Sequence, residues 1–141
     1  MFTLKAENSF DAAHFLAQYK GKCGNIHGHR WKVQIEILSD ELSDDTQTRG
    51  MIVDFDSLKV DLKKEVDYFD HSLIVEKNTL KEKTMEALKE EEILIVEVDF
   101  RSTAENFAKY FYEVMKKKGY NVKCATVYET PTNCASYYEW F

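Results

Sequence analysis

Apolar and polar side chains alternate along one stretch near the N-terminus, and this period of two restricts the fold more than any other feature. The apolar positions are Trp31, Val33, Ile35 and Ile37. Alternation of this kind predicts a β-strand with one buried face. The strand begins near His27, so we expect the imidazoles of His27 and His29 on one face. Gly28, between them, leaves the backbone open to close approach.

A second alternating stretch precedes this one. Its apolar positions are Phe2, Leu4 and Ala6, and it predicts a strand that runs towards His14. If the two strands pair as a hairpin, His14 meets His27 and His29. Three imidazoles with an open fourth position are the layout of a catalytic zinc site. A single histidine is more often a hydrogen-bonded structural residue, so the prediction depends on all three meeting.

Cys23 lies just upstream, in a segment that is predicted to be a loop. Its thiol has two interpretations. Cys23 is either a fourth zinc ligand that closes a structural site, or a thiolate that acts as base or nucleophile beside an open metal. The spacing does not choose between them. The other two cysteines, Cys124 and Cys134, are interpreted as structural.

Two helices are predicted further along the chain. The first has apolar positions at helical spacing, namely Leu58, Leu62, Val66 and Phe69. Asp56 can cap this helix. The second follows Ser102, which forms the pattern of a capping box with Glu105, and it closes at Gly119.

Short strands and a charged segment complete the predicted order. Residues 93–98 and 122–128 predict strands, and Pro131 ends the second of them. Residues 76–92 are heavily charged and are interpreted as a surface helix or a mobile excursion. The order predicts an α+β fold with two helices on one face of an antiparallel sheet. Aromatic side chains left for the other face favour an oligomer.

Composition restricts the class of protein. The 141 residues are predicted to form one domain, 1–141, and 44% of them are hydrophobic, which suits a packed core. The formal net charge of -6 argues against nucleic-acid binding. No apolar run approaches the roughly 20 residues of a membrane span, and no signal peptide is predicted. An odd count of three cysteines favours a reducing cytoplasm.

Three acidic residues are further candidates for chemistry, and two of them keep a structural alternative. Asp70 precedes His71, either as part of a charged helix end or as a carboxylate that orients an imidazole for proton transfer. Glu105 is explained by the capping box. Glu129 closes a buried strand, so it either faces solvent at the strand end or accepts from two adjacent N–H groups of a heterocycle.

Several short stretches, taken in order, resemble the family of 6-pyruvoyl-tetrahydropterin and 6-carboxy-tetrahydropterin synthases. The stretches are Phe10-Asp11-Ala12-Ala13-His14, Cys23 followed by His27-Gly28-His29, Gly50-Met51-Ile52-Val53-Asp54-Phe55, Asp70-His71, Thr103-Ala104-Glu105-Asn106, and Val127-Tyr128-Glu129-Thr130-Pro131. The resemblance implies the tunnelling fold, whose barrel forms from three subunits. It also implies a homohexamer of two stacked trimers, with active sites between subunits.

The resemblance carries roles to individual positions. The matched residues are the zinc ligands His14, His27 and His29, the catalytic cysteine Cys23, the proton-relay pair Asp70 and His71, the pterin anchor Glu129, and the additional pterin contacts Thr103 and Glu105. The cofactor implied is Zn²⁺, and the partner implied is a small pterin triphosphate.

The resemblance also implies an activity. Three residues separate Cys23 from His27, as in the carboxy branch of the family, which belongs to the queuosine pathway. The implied reaction converts 7,8-dihydroneopterin triphosphate to 6-carboxy-5,6,7,8-tetrahydropterin, acetaldehyde and triphosphate. The nearest alternative is a 6-pyruvoyl-tetrahydropterin synthase on the same scaffold. Alternatives of other classes are a non-catalytic zinc-stabilised binding protein, with Cys23 as fourth ligand, and a generic zinc hydrolase.

Overall fold

The computed structural model describes residues 1–140 as a six-stranded sheet with three helices. The strands are β1 (Phe2–His14), β2 (His27–Ser39), β3 (Ser72–Glu76), β4 (Ile95–Val98), β5 (Val122–Thr130) and β6 (Asn133–Tyr137). The helices are α1 (Phe55–Asp67), α2 (Glu82–Glu90) and α3 (Ala104–Lys117). The strand order is β4-β3-β1-β2-β5-β6.

The predicted α+β class is confirmed, but the sheet is mixed rather than wholly antiparallel. Antiparallel pairs join β1 to β2, β2 to β5 and β5 to β6, whereas β3 runs parallel to both β1 and β4. Parallel neighbours need a crossover connection, and α2 supplies it between β3 and β4. β3 was not predicted, because its residues are almost all buried and carry no alternation.

One face of the sheet carries the main core. Phe10 of β1 and Trp31 of β2 stack with ring centroids 5.8 Å apart and planes within 3°. Leu62 of α1 and Phe107 of α3 are fully buried in the same cluster. The two predicted helices therefore pack on one face, as expected, and their apolar stripes shield the buried side of the long hairpin from water.

Both helix starts differ from the prediction by one or two residues. Asp54, and not Asp56, caps α1, because its carboxylate accepts a hydrogen bond from the Asp56 N–H at 2.8 Å. Thr103 caps α3 by accepting from the Asn106 N–H at 3.2 Å. The predicted capping box of Ser102 with Glu105 is therefore wrong. Ser102 is fully buried and bonds elsewhere.

The charged segment 76–92 contains a helix, which bears out the first of its two interpretations. The apolar side of α2 presents Met85 and Leu88 to a second, smaller cluster with Phe15, Leu73 and Val75. Leu73 and Val75 alternate with Ile74, which lies in the main core, so α2 covers the opposite face of β3 from α1 and α3.

The C-terminal segment adds a strand that the sequence analysis did not predict. β6 pairs with β5 after a turn at Pro131, and Tyr137 packs against Tyr112 of α3 with ring centroids 5.0 Å apart. Trp140 is 91% exposed. The single domain over 1–141 stays a prediction, and Phe141 lies outside the described residues. Within residues 1–140, no helix is both long and apolar enough to span a membrane.

Candidate functional site

The hairpin of β1 and β2 brings the three predicted histidines together. Its register places His14 opposite His27 and Ala12 opposite His29. These positions continue the side of the hairpin that holds Phe10 and Trp31, so the imidazoles lie at the open end of the main core. The period of two therefore predicted both the shared face and the meeting point correctly.

The three imidazoles form a compact cluster. Their ring centroids are 4.6 Å (His14 to His27), 5.1 Å (His14 to His29) and 4.8 Å (His27 to His29) apart. One ligand atom from each residue lies within 4.8 Å of the others. The Nε2 atoms of His14 and His29 are buried without a hydrogen-bond partner. Buried polar atoms are normally satisfied, and a divalent cation would satisfy both, so the residues fit a metal ion.

Hydrogen bonds fix which nitrogen of two rings can bind a metal. The Nδ1 of His14 lies 2.8 Å from the carbonyl oxygen of Ser102, and the Nδ1 of His27 lies 2.7 Å from that of Asn25. A carbonyl oxygen only accepts, so both Nδ1 atoms carry the hydrogen and donate. The lone pair is left on Nε2. This outer hydrogen bond is typical of metal-binding histidines, because it fixes the tautomer and orients the ring.

Burial keeps the imidazoles of His14 and His29 neutral. It lowers the pKa of His14 to about 4, and the neighbouring imidazoles of His27 and His29 act in the same direction. Burial also lowers the pKa of His29, with a further contribution from His27. A metal binds the neutral imidazole, so His14 and His29 need lose no proton to bind one at neutral pH.

Cys23 lies outside the imidazole cluster. It sits in a short 3-10 turn, Lys22–Gly24, with its side chain exposed. Within the described residues, the cluster of possible ligand atoms consists of the three imidazoles and does not include the Cys23 thiol. The structure therefore does not form the closed site of one cysteine and three histidines.

Glu129 lies beside the cluster. It shares the face of Val127 in β5, and its Oε2 is 4.0 Å from the Nε2 of His29, a distance too long for a hydrogen bond. Its side chain is 28% exposed, so it is only partly open to solvent. Burial raises the pKa of the carboxyl, and the negative charge of Glu105 adds to this effect. A carboxylate in this position needs hydrogen-bond donors.

Glu129 and the start of α3 share a cavity of about 210 Å³. Its lining includes Thr103, Glu105, Asn133 and Cys134. Glu105 is exposed, and Thr103 caps the helix without it. The predicted capping role therefore does not explain Glu105. The structure thus brings together Glu129, Thr103 and Glu105, which the resemblance assigned to one function.

Asp70 and His71 are in contact, which adjacent residues need not be. The Nδ1 of His71 lies 2.8 Å from Oδ2 of Asp70, while Oδ1 of Asp70 accepts from the Asp11 N–H at 2.8 Å. The Asp11 hydrogen bond is the main cause that lowers the pKa of Asp70. His71 has a φ of 60° and a side chain that is 78% exposed. The pair lies beyond the end of α1 at Asp67, and it is not part of the imidazole cluster.

Several residues around this site were not predicted from the sequence. Ser102 accepts from His14 through its carbonyl oxygen, and its hydroxyl lies 3.1 Å from the same Nδ1. Asn25 orients His27, and Asn133 and Cys134 line the cavity beside Glu129. Ser102 is far from His14 in sequence, so only the packing of α3 on the hairpin reveals its contact.

Comparisons with known proteins agree with this geometry. The sequence profile of the family described as 6-pyruvoyl tetrahydropterin synthase matches residues 3–139. A protein of Haemophilus influenzae named 6-carboxy-5,6,7,8-tetrahydropterin synthase is 34% identical over 142 residues, which cover 99% of this chain and all of that one. A protein of the same name from Aquifex aeolicus is 32% identical over 84% of this chain and 76% of its own length.

Solved structures show the same fold. An uncharacterised protein from Wolinella succinogenes superposes with a TM-score of 0.79 at 20% identity, covering 99% of this chain and 98% of that chain. The 6-pyruvoyl tetrahydropterin synthase of Caenorhabditis elegans superposes with a TM-score of 0.70 at 25% identity, over 99% of this chain and 96% of its own. The chain belongs to the 6-pyruvoyl tetrahydropterin synthase family.

Proposed function

We propose that this protein is a zinc-dependent lyase that converts 7,8-dihydroneopterin triphosphate to 6-carboxy-5,6,7,8-tetrahydropterin, acetaldehyde and triphosphate, in queuosine biosynthesis. The observation that carries the proposal is the cluster of three imidazoles, with two buried and unpartnered Nε2 atoms, beside the partly buried Glu129. The curated relatives named 6-carboxy-5,6,7,8-tetrahydropterin synthase, which match most of the chain, support the choice of reaction.

His14, His27 and His29 would hold the zinc ion. Imidazole nitrogen is a preferred zinc ligand, and three protein ligands leave a fourth position for water or substrate. Zinc held by these residues would supply Lewis-acid chemistry to the substrate side chain. The carbonyl oxygens of Ser102 and Asn25 keep the rings of His14 and His27 oriented for that task.

Glu129 would anchor the pterin ring. A carboxylate can accept two hydrogen bonds from adjacent ring N–H groups, and such charge-assisted pairs are strong in a partly desolvated pocket. Thr103 and Glu105 line the same cavity and would add contacts to the ring. The pterin would then lie beside the imidazole cluster, since Glu129 and His29 are neighbours.

Cys23 and the Asp70–His71 pair would move protons. The Cys23 thiolate would act on the side-chain carbons of the substrate, and its exposed position leaves it accessible. His71 would exchange a proton on the opposite side. Asp70 is held by the Asp11 N–H, so it can fix the tautomer of His71 by accepting from its Nδ1.

The assembly we propose is a homohexamer, a dimer of trimers, with active sites between subunits in the cytoplasm. Its support is the surface that the single chain leaves open. Phe2, Met51 and Phe55 are exposed around a largely apolar cavity of about 610 Å³, and β4 and β6 are the edge strands of the sheet. Exposed strand edges and apolar patches of this kind mark association surfaces.

The test is anaerobic incubation of the protein with 7,8-dihydroneopterin triphosphate, with pterins identified by mass spectrometry and acetaldehyde assayed separately. The expected products are 6-carboxy-5,6,7,8-tetrahydropterin and acetaldehyde. 6-Pyruvoyl-tetrahydropterin without acetaldehyde would establish the second candidate, which the fold shared with the Caenorhabditis elegans enzyme favours. No reaction with zinc-loaded protein would favour the binding-protein alternative.

Two variants distinguish the catalytic role of Cys23 from the pterin-anchoring role of Glu129. Cys23→Ala should reduce turnover by about 10²–10⁴-fold while zinc content stays unchanged. Loss of zinc in this variant would make Cys23 a ligand. Glu129→Ala should weaken pterin binding while the hexamer persists, and normal pterin affinity would contradict the anchoring role.

A further inference from the structure

The segment that carries Cys23 is a self-contained loop, residues 16–24, which we call the Cys23 loop. The Leu16 N–H donates to the carbonyl oxygen of Cys23 at 2.8 Å and closes the loop at its base. Within it, the Tyr19 N–H donates to Leu16 and the Gly24 N–H donates to Gly21. These bonds give the loop a shape of its own, but they do not attach it to the rest of the protein.

Close packing inside the loop links its two sides. A Cβ atom on Gly24 would lie 2.5 Å from the carbonyl oxygen of Tyr19, so only glycine allows the backbone next to Cys23 to approach Tyr19 so closely. A displacement of Tyr19 would therefore be passed directly to Gly24 and its neighbour Cys23.

One side chain ties this loop to the body of the protein. Nη2 of Arg101 donates to the carbonyl oxygen of Ala17 at 3.1 Å, and the guanidinium lies over the ring of Tyr19, 5.8 Å from its centroid. In the part of the chain that the structure describes, 1–140, this is the only hydrogen bond between residues 16–24 and a side chain outside them. Hydrogen bonds from a charged donor are the stronger kind.

Apart from this hydrogen bond, the loop is supported by Ala17, which packs against the smaller cluster of Phe15, Leu73 and Val75. A cavity of about 590 Å³ separates it from the segment after β3, with Gln18 and Gly24 on one side and Glu76 and Asn78 on the other. A segment with an open cavity beside it and few bonds to its neighbours opens locally at low free-energy cost. Arg101 also lines this cavity, so its hydrogen bond to the loop lies on the side of the loop that faces open space.

Arg101 is itself firmly placed. Its carbonyl oxygen accepts from the side-chain amide of Asn106 at 2.9 Å, in the first turn of α3. The next residue, Ser102, is fully buried and accepts from His14. The backbone of Arg101 is thus fixed to the same structural unit that orients one of the three imidazoles.

We propose that Arg101 is a positioning residue that holds the Cys23 loop against the start of α3 and so sets the place of the Cys23 thiol relative to the imidazole cluster. Arg101 touches neither the cluster nor the thiol in the structure, so its effect is exerted through the loop. The catalytic part of this inference rests on the proposed function of Cys23, whereas the mechanical part does not.

The mechanical part is tested by hydrogen exchange on the zinc-loaded protein. Arg101→Met keeps an aliphatic side chain and removes the donors, and we expect amides of residues 16–24 to exchange about tenfold faster. Arg101→Lys keeps the charge and one donor without the planar fork, and should lie between the two. Arg49→Met, at an exposed arginine, is the matched control and should leave the loop unchanged.

Cysteine labelling gives a second readout that does not depend on turnover. The rate of Cys23 alkylation by iodoacetamide should change in Arg101→Met, while Arg49→Met should leave it at the wild-type rate. Unchanged exchange and unchanged Cys23 labelling would overturn the proposal. Equally faster exchange in α1 would overturn it as well, since that would indicate general destabilisation. If Arg101→Met does not fold, Arg101→Lys is measured alone against Arg49→Met.

Kinetics test the catalytic part. We expect kcat of Arg101→Met to fall about tenfold, with KM and zinc content unchanged and part of the rate restored in Arg101→Lys. A rise in KM alone, or loss of zinc, would contradict positioning of Cys23. If the wild-type protein yields no pterin product, the proposed function fails, and exchange and labelling still decide whether Arg101 holds the loop.

Discussion

Acid should destabilise the metal-free protein through His14, and the effect is large enough to measure. The folded-state pKa of about 4, against 6.5 for a free imidazole, corresponds to about 3 kcal/mol at roughly 1.36 kcal/mol per tenfold change in the protonation constant. The main cause is burial, since His14 is only 1% exposed and the uncharged ring is packed between other imidazoles and Trp31. Protonation therefore favours the unfolded chain.

The direction of the His14 pKa shift determines the pH range over which stability is lost. Because the pKa is lower in the folded state, the unfolded chain binds the proton more readily. The stability is complete above pH 6.5 and is lost progressively as the pH falls towards about 4. Bound zinc would make the loss steeper, because protons then compete with the metal for the same Nε2.

The assay is urea unfolding of protein treated with a chelator, at fixed protomer concentration, in steps from pH 7 to pH 4. His14→Asn can keep a donor towards the Ser102 carbonyl but removes the titrating ring, so its free energy of unfolding should fall less over this range, by up to about 3 kcal/mol. Arg49→Met, at an exposed arginine, is the control and should follow the wild type. Parallel curves for His14→Asn and wild type would refute the linkage.

Further predictions concern the cap of α3, the hydrophobic core and the Asp70–His71 pair. Thr103→Ala should lower the free energy of unfolding by about 1 kcal/mol, whereas Glu105→Ala should change it by less than about 0.5 kcal/mol, both measured in urea. Leu62→Ala, at a fully buried position, should cost about 2–5 kcal/mol in the same assay. The Asp70 carboxylate, whose pKa is lowered mainly by the Asp11 N–H, contributes stability above pH 3.8 that is lost as the pH falls further. Asp70→Asn should therefore flatten the acid limb of the stability curve below pH 4, and an unchanged acid limb would contradict this.

The hairpin and its histidines were predictable because they depend on local alternation alone. The positions of His14, His27 and His29 follow from strand periodicity once the two strands pair, and the structure has that pairing. The apolar stripes of α1 and α3 were predictable in the same way. Residues can be predicted from the sequence where they follow the periodicity of the strand or helix that carries them.

What failed were features set by tertiary contacts. Ser102 has the right residue type for a helix cap, but its buried hydroxyl and carbonyl lie against His14, so the cap falls to Thr103. β3 carries no period, since both of its faces are covered, one by the main core and the other by α2. Neither result is encoded in the spacing of nearby residues.

The start of α3 explains why the two histidine-bearing strands do not make the site by themselves. Three consecutive residues there contact three different parts of it. Arg101 bonds to the Cys23 loop, Ser102 orients His14, and Thr103 caps α3 while it lines the cavity of Glu129. A shift of this segment would move the loop, one imidazole and the cavity wall together, because they share one backbone. The strands determine which imidazoles meet, whereas the start of α3 determines how His14 is oriented and what stands beside the cluster.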